Sequence, residues 1–410
     1  MEKYKDMRHI YYNSSGNSQS IQQTLDSKYN SEATIRLPFS IGKYPAFVMH
    51  NNELSLLISS IYQANLRLER LGRDLPGDAI KQFWENTMVE EVQQTNEVEN
   101  VHSTRKEIRE AVQEKENAYS NKRFWGMVKK YDMLIAGKEI PLRSCTDIRK
   151  LYDEFILDEV MRENPENAPD GLIFRKGKTG VYSQHDIKIH EGLYPEQRII
   201  EAMEQALAFL NDPSIDPLIQ ISVFHYAFAY IHPFYDGNGR MTRFISSYKL
   251  SELFDKSACL RISYFIKANR PTYYRMFKEA NDRHSMGEIT GFVMQFLTLF
   301  KQAIDDSYQS LSEKKSHYER YKKLLEKAKA LHPVATLLKT DILLDCMLQT
   351  ELFGHPSFSI ELITKLLECS PKTARKTMDE CEPLVYHKVE KRKFWWHINL
   401  DYLEQFSQET

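Results

Sequence analysis

The chain has 410 residues, enough to bury a sizeable core and to form two or three domains. Its 42% hydrophobic and 27% charged content is ordinary for a soluble globular protein, and a formal net charge of −2 supplies no global field toward nucleic acid or a membrane surface. The cysteines (Cys145, Cys259, Cys346, Cys369, Cys381) are scattered without CxxC or His-rich spacing, so they read as reduced thiols of a cytoplasmic protein, not as a disulfide frame or zinc site.

Residues 1–32 are polar and rich in Ser, Asn and Gln, and are expected to be poorly ordered. They hold no apolar run of the signal-peptide kind, and no stretch of the chain approaches the roughly 18 apolar residues of a membrane span. From about Leu37 to Leu331 the pattern is mainly helical, and residues 33–170 read as an N-terminal helical region. Within it "TNEVENVHSTRKEI" places Thr95, Glu99 and Asn100 in the pattern [ST]xxxE[GN]. Taken alone, that acid is as readily a solvated one near a helix end, because Glu90, Glu91, Glu97 and Glu99 crowd one segment. The earlier "SSIYQAN", 59–65, has a similar shape but carries Gln63 where the acid would stand, and glutamine forms no ion pair.

Residues 171–310 carry the densest chemistry. "GVYSQHDIKIHEGLYP", 180–195, alternates like a short hairpin around His185 and Asp186. "PEQRIIEAMEQALAFLND" spaces Ile199, Ile200, Met203, Leu207 and Leu210 as one helix face, with Asn-Asp-Pro as its stop. "DPLIQISVFHYAFAYI" predicts a buried helix with Asp216 as N-cap and Pro217 at its first position. Pro233 ends that helix and is expected to push His232 toward an extended conformation.

Next comes "HPFYDGNGRMTR", 232–243, a Gly-rich loop leading into another helix. Gly237 and Gly239 let the backbone turn and aim N–H groups at an anion near the positive end of that helix. Arg240 and Arg243 are three apart, so both can reach phosphate oxygens. Asp236 suits Mg²⁺, which takes one or two carboxylates plus substrate phosphates. His232 is the one side chain here of a type whose unperturbed pKa lies near neutrality, as a general base requires. Phe234 reads as the anchor of the loop on the core.

Residues 311–333 look like a charged, solvated linker helix ended by His332-Pro333. Residues 334–410 then give three short helical patterns and two strands about a basic turn, "VYHKVEKRKFWWHINLDYL". No internal repeat is visible.

With every fixed position filled, "HPFYDGNGRMTR" resembles the Fic signature HPFx[DE]GNGRxxR. The resemblance implies a mainly α, Fic-type helical domain with a small β-hairpin flap. It also implies transfer of AMP from ATP to a hydroxyl side chain (Ser, Thr or Tyr) of a target protein. His232 would then deprotonate the hydroxyl and Asp236 would hold Mg²⁺. Asn238, Arg240 and Arg243 would bind phosphates along with the amides of Gly237 and Gly239. A kinase-like branch of the family puts lysine at the second glycine of the loop, and Gly239 is intact here. The segment 180–195 resembles the flap, to whose edge an extended target segment adds as a strand; a surface hairpin is the alternative. "NRPTYYRMF", 269–277, resembles the segment that closes over the nucleotide, which makes Asn269, Tyr273 and Tyr274 candidates for ribose or adenine contacts. Tyrosines packed on a helix face are the competing reading.

By the same resemblance, Thr95, Glu99 and Asn100 form an inhibitory motif in which Glu99 pairs with Arg243 and keeps it from the γ-phosphate. Some glutamates of this kind position a water that removes AMP, so a reverse reaction stays open for Glu99. The three helices and hairpin of 334–410 resemble a winged helix, whose third helix enters the DNA major groove in DNA-binding versions. Lys372, Arg375, Lys376 and the Lys391–Lys393 run give it positive charge, which Asp379, Glu380, Glu382 and Glu390 dilute. Contact with DNA or with protein, including a homodimer partner, remains open for it. Two classes of function therefore compete: a self-inhibited protein adenylyltransferase, and a DNA-binding regulator whose Fic domain senses nucleotide.

Overall fold

The apolar run 217–231 forms a helix buried on nearly all sides. Asp216 caps it as expected, its carboxylate accepting the Leu218 N–H at 2.8 Å, with Pro217 in the first turn. The helices Glu196–Leu210 and Asn238–Ser251 pack against it. Ile199, Met203, Leu207 and Leu210 face the core at the expected helical spacing. This computed structural model describes residues 4–14, 18–182, 188–354, 358–390 and 393–408. The chain is mainly α, with small antiparallel sheets.

Contacts gather into two units. One holds residues Met1–Leu66 and Met88–Asp305, the other Arg67–Thr87 and Asp306–Thr410. In the first, the region 33–170, read as mainly helical, opens on a β-hairpin, Thr34–Ile41 with Tyr44–Met49, before its helices. Thr34, Leu37 and Ile41 are buried on one strand and Ala46, Phe47 and Val48 on the other; a register shift between Arg36 and Ser40 breaks strict alternation, so the burial pattern of the first strand mimics helical spacing. The flap also forms a hairpin, Gly180–Tyr182 with Lys188–Glu191, while its tip, including His185 and Asp186, lies outside the described residues.

The expected disorder of residues 1–32 is likewise corrected by the helices Met7–Asn13 and Ser18–Tyr29. Met7, Ile21 and Leu25 pack with Phe47. The buried Glu288 carboxylate accepts from Tyr4 Oη at 2.6 Å, the Met7 N–H at 2.8 Å and Lys28 Nζ at 3.0 Å. A paired, fully hydrogen-bonded carboxylate can be buried. It anchors a segment whose composition carries few apolar groups.

In the second unit, residues 311–333 are not a separate solvated linker. Residues 311–329 belong to the 40-residue helix Thr290–Lys329, and 330–333 follow its end. Leu311, Tyr318 and Leu325 recur every seven positions and are buried, with Leu324 and Ala328 beside them. The charges occupy the other faces, so a narrow apolar stripe is enough to make this helix part of a core. Helices Leu338–Phe353, Ile360–Leu367 and Pro371–Glu380 follow. Strands Val385–Glu390 and Lys393–Ile398 pair antiparallel, and Phe358–Ser359 adds to the second of them. Trp396 is buried, Trp395 half-buried, and Lys372, Arg375 and Lys376 are exposed. Of the basic run, residues 391 and 392 lie outside the described residues.

Candidate active site

The helix Pro217–Ile231 ends at His232, which leaves in the left-handed region at φ 53° and ψ 64°, not in the expected extended conformation. Its N–H still donates to the Phe228 carbonyl at 2.9 Å, so Pro233 stops the helix one residue later than a clean extended exit would. A left-handed β-carbon residue costs about 1 kcal/mol, and such strain is held in place by surrounding contacts. Phe234 supplies one. Its ring is buried, stacks on Tyr152 at 3.7 Å between centroids and meets Phe174 edge-on.

Gly237 takes φ +79°, and the helix Asn238–Ser251 begins directly after it. The loop's amides therefore lie at the positive end of a helix. Asn238 departs from the expected role of its side chain. Oδ1 accepts the Phe234 N–H at 3.0 Å and Nδ2 donates to the Phe234 carbonyl at 2.8 Å. Both ends of the amide brace the loop.

Arg240 and Arg243 are buried. Nε and Nη1 of Arg240 make no hydrogen bond among the described residues. Its nearest anions are Asp236, at 3.4 and 3.5 Å from Nη2, and Glu163, at 3.6 Å from Nη1. These distances exceed the 2.7–2.9 Å usual for a charge-assisted bond. A buried, under-satisfied guanidinium beside helix-terminal amides suits a phosphate. Burial and the neighbouring Asp236 raise the Glu163 pKa, while Arg240 opposes them. The Asp236 and Glu163 side chains are about one-third exposed. Asp236 thus fits a Mg²⁺ held mainly by phosphates and water, an arrangement that needs no larger ligand cluster. Among the described residues no group of three or more His, Cys, Asp or Glu side chains is placed to hold a metal.

The second arginine is already engaged. The helix Gly77–Val98 presents Glu91 and Thr95 along one face, and the turn after it presents Glu99. Arg243 Nη1 lies 2.7 Å from Glu99 Oε1, Nε donates to Thr95 Oγ1 at 2.8 Å and Nη2 to the Thr95 carbonyl at 2.9 Å. A β-carbon added to Gly239 would stand 2.0 Å from Glu99 Oε1 and 3.0 Å from Arg243 Nη1. The carboxylate thus rests directly on the loop, and only glycine admits it. Asn100 sits at φ 60°, the left-handed position after a helix end that asparagine or glycine tolerates. Its Oδ1 also accepts from Arg270 at 3.3 Å. Partial burial alone would raise the Glu99 pKa, but Arg243, with Arg240 and His232, holds it below the ordinary carboxylate value. Gln63, in the look-alike segment, is exposed and donates to Ser59 Oγ.

The nucleotide-closing candidates separate. Tyr273 is buried, with its hydroxyl 2.8 Å from His225 Nε2 and close to Arg243. Tyr274 keeps an exposed ring, with the Arg270 guanidinium 5.6 Å from its centroid. Asn269 Nδ2 donates to the Phe265 carbonyl at 3.0 Å, closing the helix Ile262–Ala268. His225, buried and with its pKa lowered to about 3 by desolvation and then Arg243, stays neutral and structural.

Sequence reasoning missed three residues. Glu163 contributes a second carboxylate beside Arg240. Glu91 is buried and accepts from the Ser263 N–H at 3.0 and 3.1 Å and from Ser263 Oγ at 2.6 Å. Its spacing of four from Thr95 was the available signal. Arg175 is buried beside His232, and its signal was a cation directly after the apolar run of "LIFRKG".

The Fic/DOC family model matches residues 145–250, which span the His232–Arg243 loop. The chain carries a Fic domain. Over 119 residues it is 29% identical to protein adenylyltransferase fic-1 of Caenorhabditis elegans, a match covering 27% of this chain and 22% of that relative. The similarity therefore spans about a fifth of the relative's length. A Fic family protein of Desulfovibrio desulfuricans G20 shares the fold with a TM-score of 0.52 at 17% identity, over 89% of this chain and 98% of that one. A Fic domain-containing signaling protein of Bacteroides thetaiotaomicron VPI-5482 aligns with a TM-score of 0.44 at 16% identity, over 62% of this chain and 97% of the other. Residues 95–100, which approach the Fic loop, lie upstream of the matched segment.

Proposed function

We propose that the protein is a protein adenylyltransferase that moves AMP from ATP to a hydroxyl side chain of a target and is held in check by Glu99. The observation that carries this reading is a carboxylate seated on the Gly239 loop and paired with Arg243, where a phosphate would otherwise lie. A site that binds an internal anion in this way is built for an external one.

In the open state the loop amides and the two arginines would grip the triphosphate. The His232 imidazole would take the proton of the target hydroxyl as its oxygen attacks the α-phosphorus. The bond to the α–β bridging oxygen breaks, and pyrophosphate leaves with the electron pair. The product is a phosphodiester between AMP and the side chain. Asp236, with Glu163 nearby, would hold Mg²⁺, which supplies neutralisation of phosphate charge. The two-stranded flap, with an outer edge on each side, would take the target segment as an added strand.

A nucleotide-sensing, DNA-binding reading draws on the exposed Lys372, Arg375 and Lys376 of the helix Pro371–Glu380. It leaves His232 without a task, since sensing needs phosphate ligands and no base. Incubation with labelled nucleoside triphosphates and a cell lysate, followed by mass spectrometry, tests transfer. A gel shift with a steep salt slope and no labelled protein would favour the regulator.

A further inference from the structure

We propose that Arg175 is a positioning residue that ties both feet of the flap to the turn carrying His232. The proposal rests on the adenylyl-transfer reading above and deepens it. Arg175 is fully buried, and each nitrogen of its guanidinium donates to a different backbone carbonyl. Nε reaches His232 at 2.9 Å, Nη1 reaches Gly177 at 2.6 Å and Nη2 reaches Leu193 at 2.8 Å. Gly177 precedes the first flap strand and Leu193 follows the second. One planar group therefore spans the hairpin's entry, its exit and the peptide of the proposed base.

Backbone bonds complete the junction. The Arg175 N–H donates to the Pro233 carbonyl at 3.3 Å, the Leu193 N–H to Ile231 at 3.1 Å and the Gly192 N–H to Thr179 at 3.1 Å. Tyr235, the variable position of the loop motif, accepts the Gly177 N–H at 2.7 Å and donates to Asp170 at 3.0 Å. Among the described residues Arg175 has no carboxylate within ion-pair distance, so its charge is met by carbonyl dipoles. A structural cation would more often be paired at such depth. The fork geometry is what three divergent carbonyls require, and a lysine ammonium cannot reproduce it.

The consequence is functional. A target strand added to the flap must deliver its hydroxyl within hydrogen-bond reach of His232, and the flap's height over that histidine is set by this junction. The nucleotide is gripped elsewhere, by the Gly239 loop, Arg240 and Arg243. Loosening Arg175 should thus impair transfer and leave nucleotide affinity intact.

The test uses the full chain carrying Glu99→Gly, with Arg175→Lys and Arg175→Ala added separately. The readouts are the self-adenylylation rate, ATP affinity by calorimetry, and hydrogen exchange of the Gly192 and Leu193 amides. We expect transfer to fall by about 10- to 100-fold in both variants, the size of effect that misplaced reacting groups produce. ATP affinity should stay within about twofold, the two amides should exchange faster, and millimolar guanidinium should partly restore Arg175→Ala. Transfer at the parent rate in Arg175→Lys with the amides still protected would overturn the proposal, as would a parallel loss of ATP affinity. If the Glu99→Gly parent itself transfers nothing, the adenylyltransferase reading fails, and the exchange measurement still decides whether Arg175 ties the flap.

Discussion

The Glu99 carboxylate lies 2.7 Å from the Arg243 guanidinium, and Thr95 takes two further donors of the same arginine. A single helix end therefore engages all three nitrogens of the Arg243 guanidinium. Glu99 titrates below the ordinary carboxylate value, held there against desolvation by Arg243. An acid depressed in the folded state stabilises above its unfolded pKa, and that stabilisation is lost as pH falls through the folded value. The wild-type protein should exceed Glu99→Gln in thermal stability by about 1–3 kcal/mol at neutral pH, since the variant leaves a buried guanidinium without its anion. Melting curves at descending pH should show the difference constant down to the carboxylate range and shrinking only below it.

Glu91 behaves oppositely. Desolvation raises its pKa to about 7, and the bonds from Ser263 with the charge of Arg243 offset only part of that. Between the unfolded value of 4.5 and 7 the folded state binds the extra proton, so stability should fall as pH rises through this window. Glu91→Gln keeps an acceptor for Ser263 and removes the titration. Denaturant unfolding at pH 5 and pH 8 should show a smaller pH dependence in the variant; an equal dependence would exclude Glu91 as its source.

Asp236→Ala should lower Mg²⁺-dependent ATP affinity, because the motif's carboxylate is gone and, among the described residues, Glu163 is the carboxylate left within ion-pair distance of Arg240. Calorimetry with and without Mg²⁺ checks it. Equal affinities in variant and parent, with metal present, would remove Asp236 from the site.

His232→Ala should reduce transfer by about 10²–10⁴-fold, the usual contribution of a general base. ATP binding should be largely retained, because the phosphate-facing groups are the loop amides and arginines. The comparison belongs in the Glu99→Gly background, where the rate is high enough to measure the loss.

The segment 232–243 was legible because base, carboxylate, glycines and arginines all fall within twelve consecutive positions, at the turn between two helices and the first turns of the second. The Glu99 motif was legible only through its resemblance to an inhibitory motif, since its pattern alone fits a solvated acid; the structure adds that Asn100 sits left-handed at the helix end and that Thr95 bonds Arg243 one turn before Glu99. What escaped depends on partners far along the chain. The hairpin Thr34–Ile41 with Tyr44–Met49 contains Pro38 and Pro45, which argue against strands until their edge positions are known. The N-terminal helices hang on Glu288, which their own composition cannot reveal. In residues 311–329 the charges hid a seven-residue apolar stripe. Arg175 looked like any surface cation, because its three carbonyl acceptors lie in three separate segments. Tyr273, an expected nucleotide contact, is buried, with its hydroxyl bonded to His225 and lying beside Arg243, surroundings that its place in the sequence does not show.

Self-adenylylation of Glu99→Gly, measured beside the wild type and the Glu99→Gly/His232→Ala double variant with labelled ATP, is the most direct test of a base held idle by a carboxylate. Freeing Arg243 should raise incorporation on the order of 10²-fold, the cost of misaligned reacting groups, and the double variant should fall back to background. Arg243→Ala should give no such gain, since it removes the phosphate ligand together with the lock. No gain in Glu99→Gly would contradict inhibition by Glu99, and a gain that survives in the double variant would contradict His232 as the base.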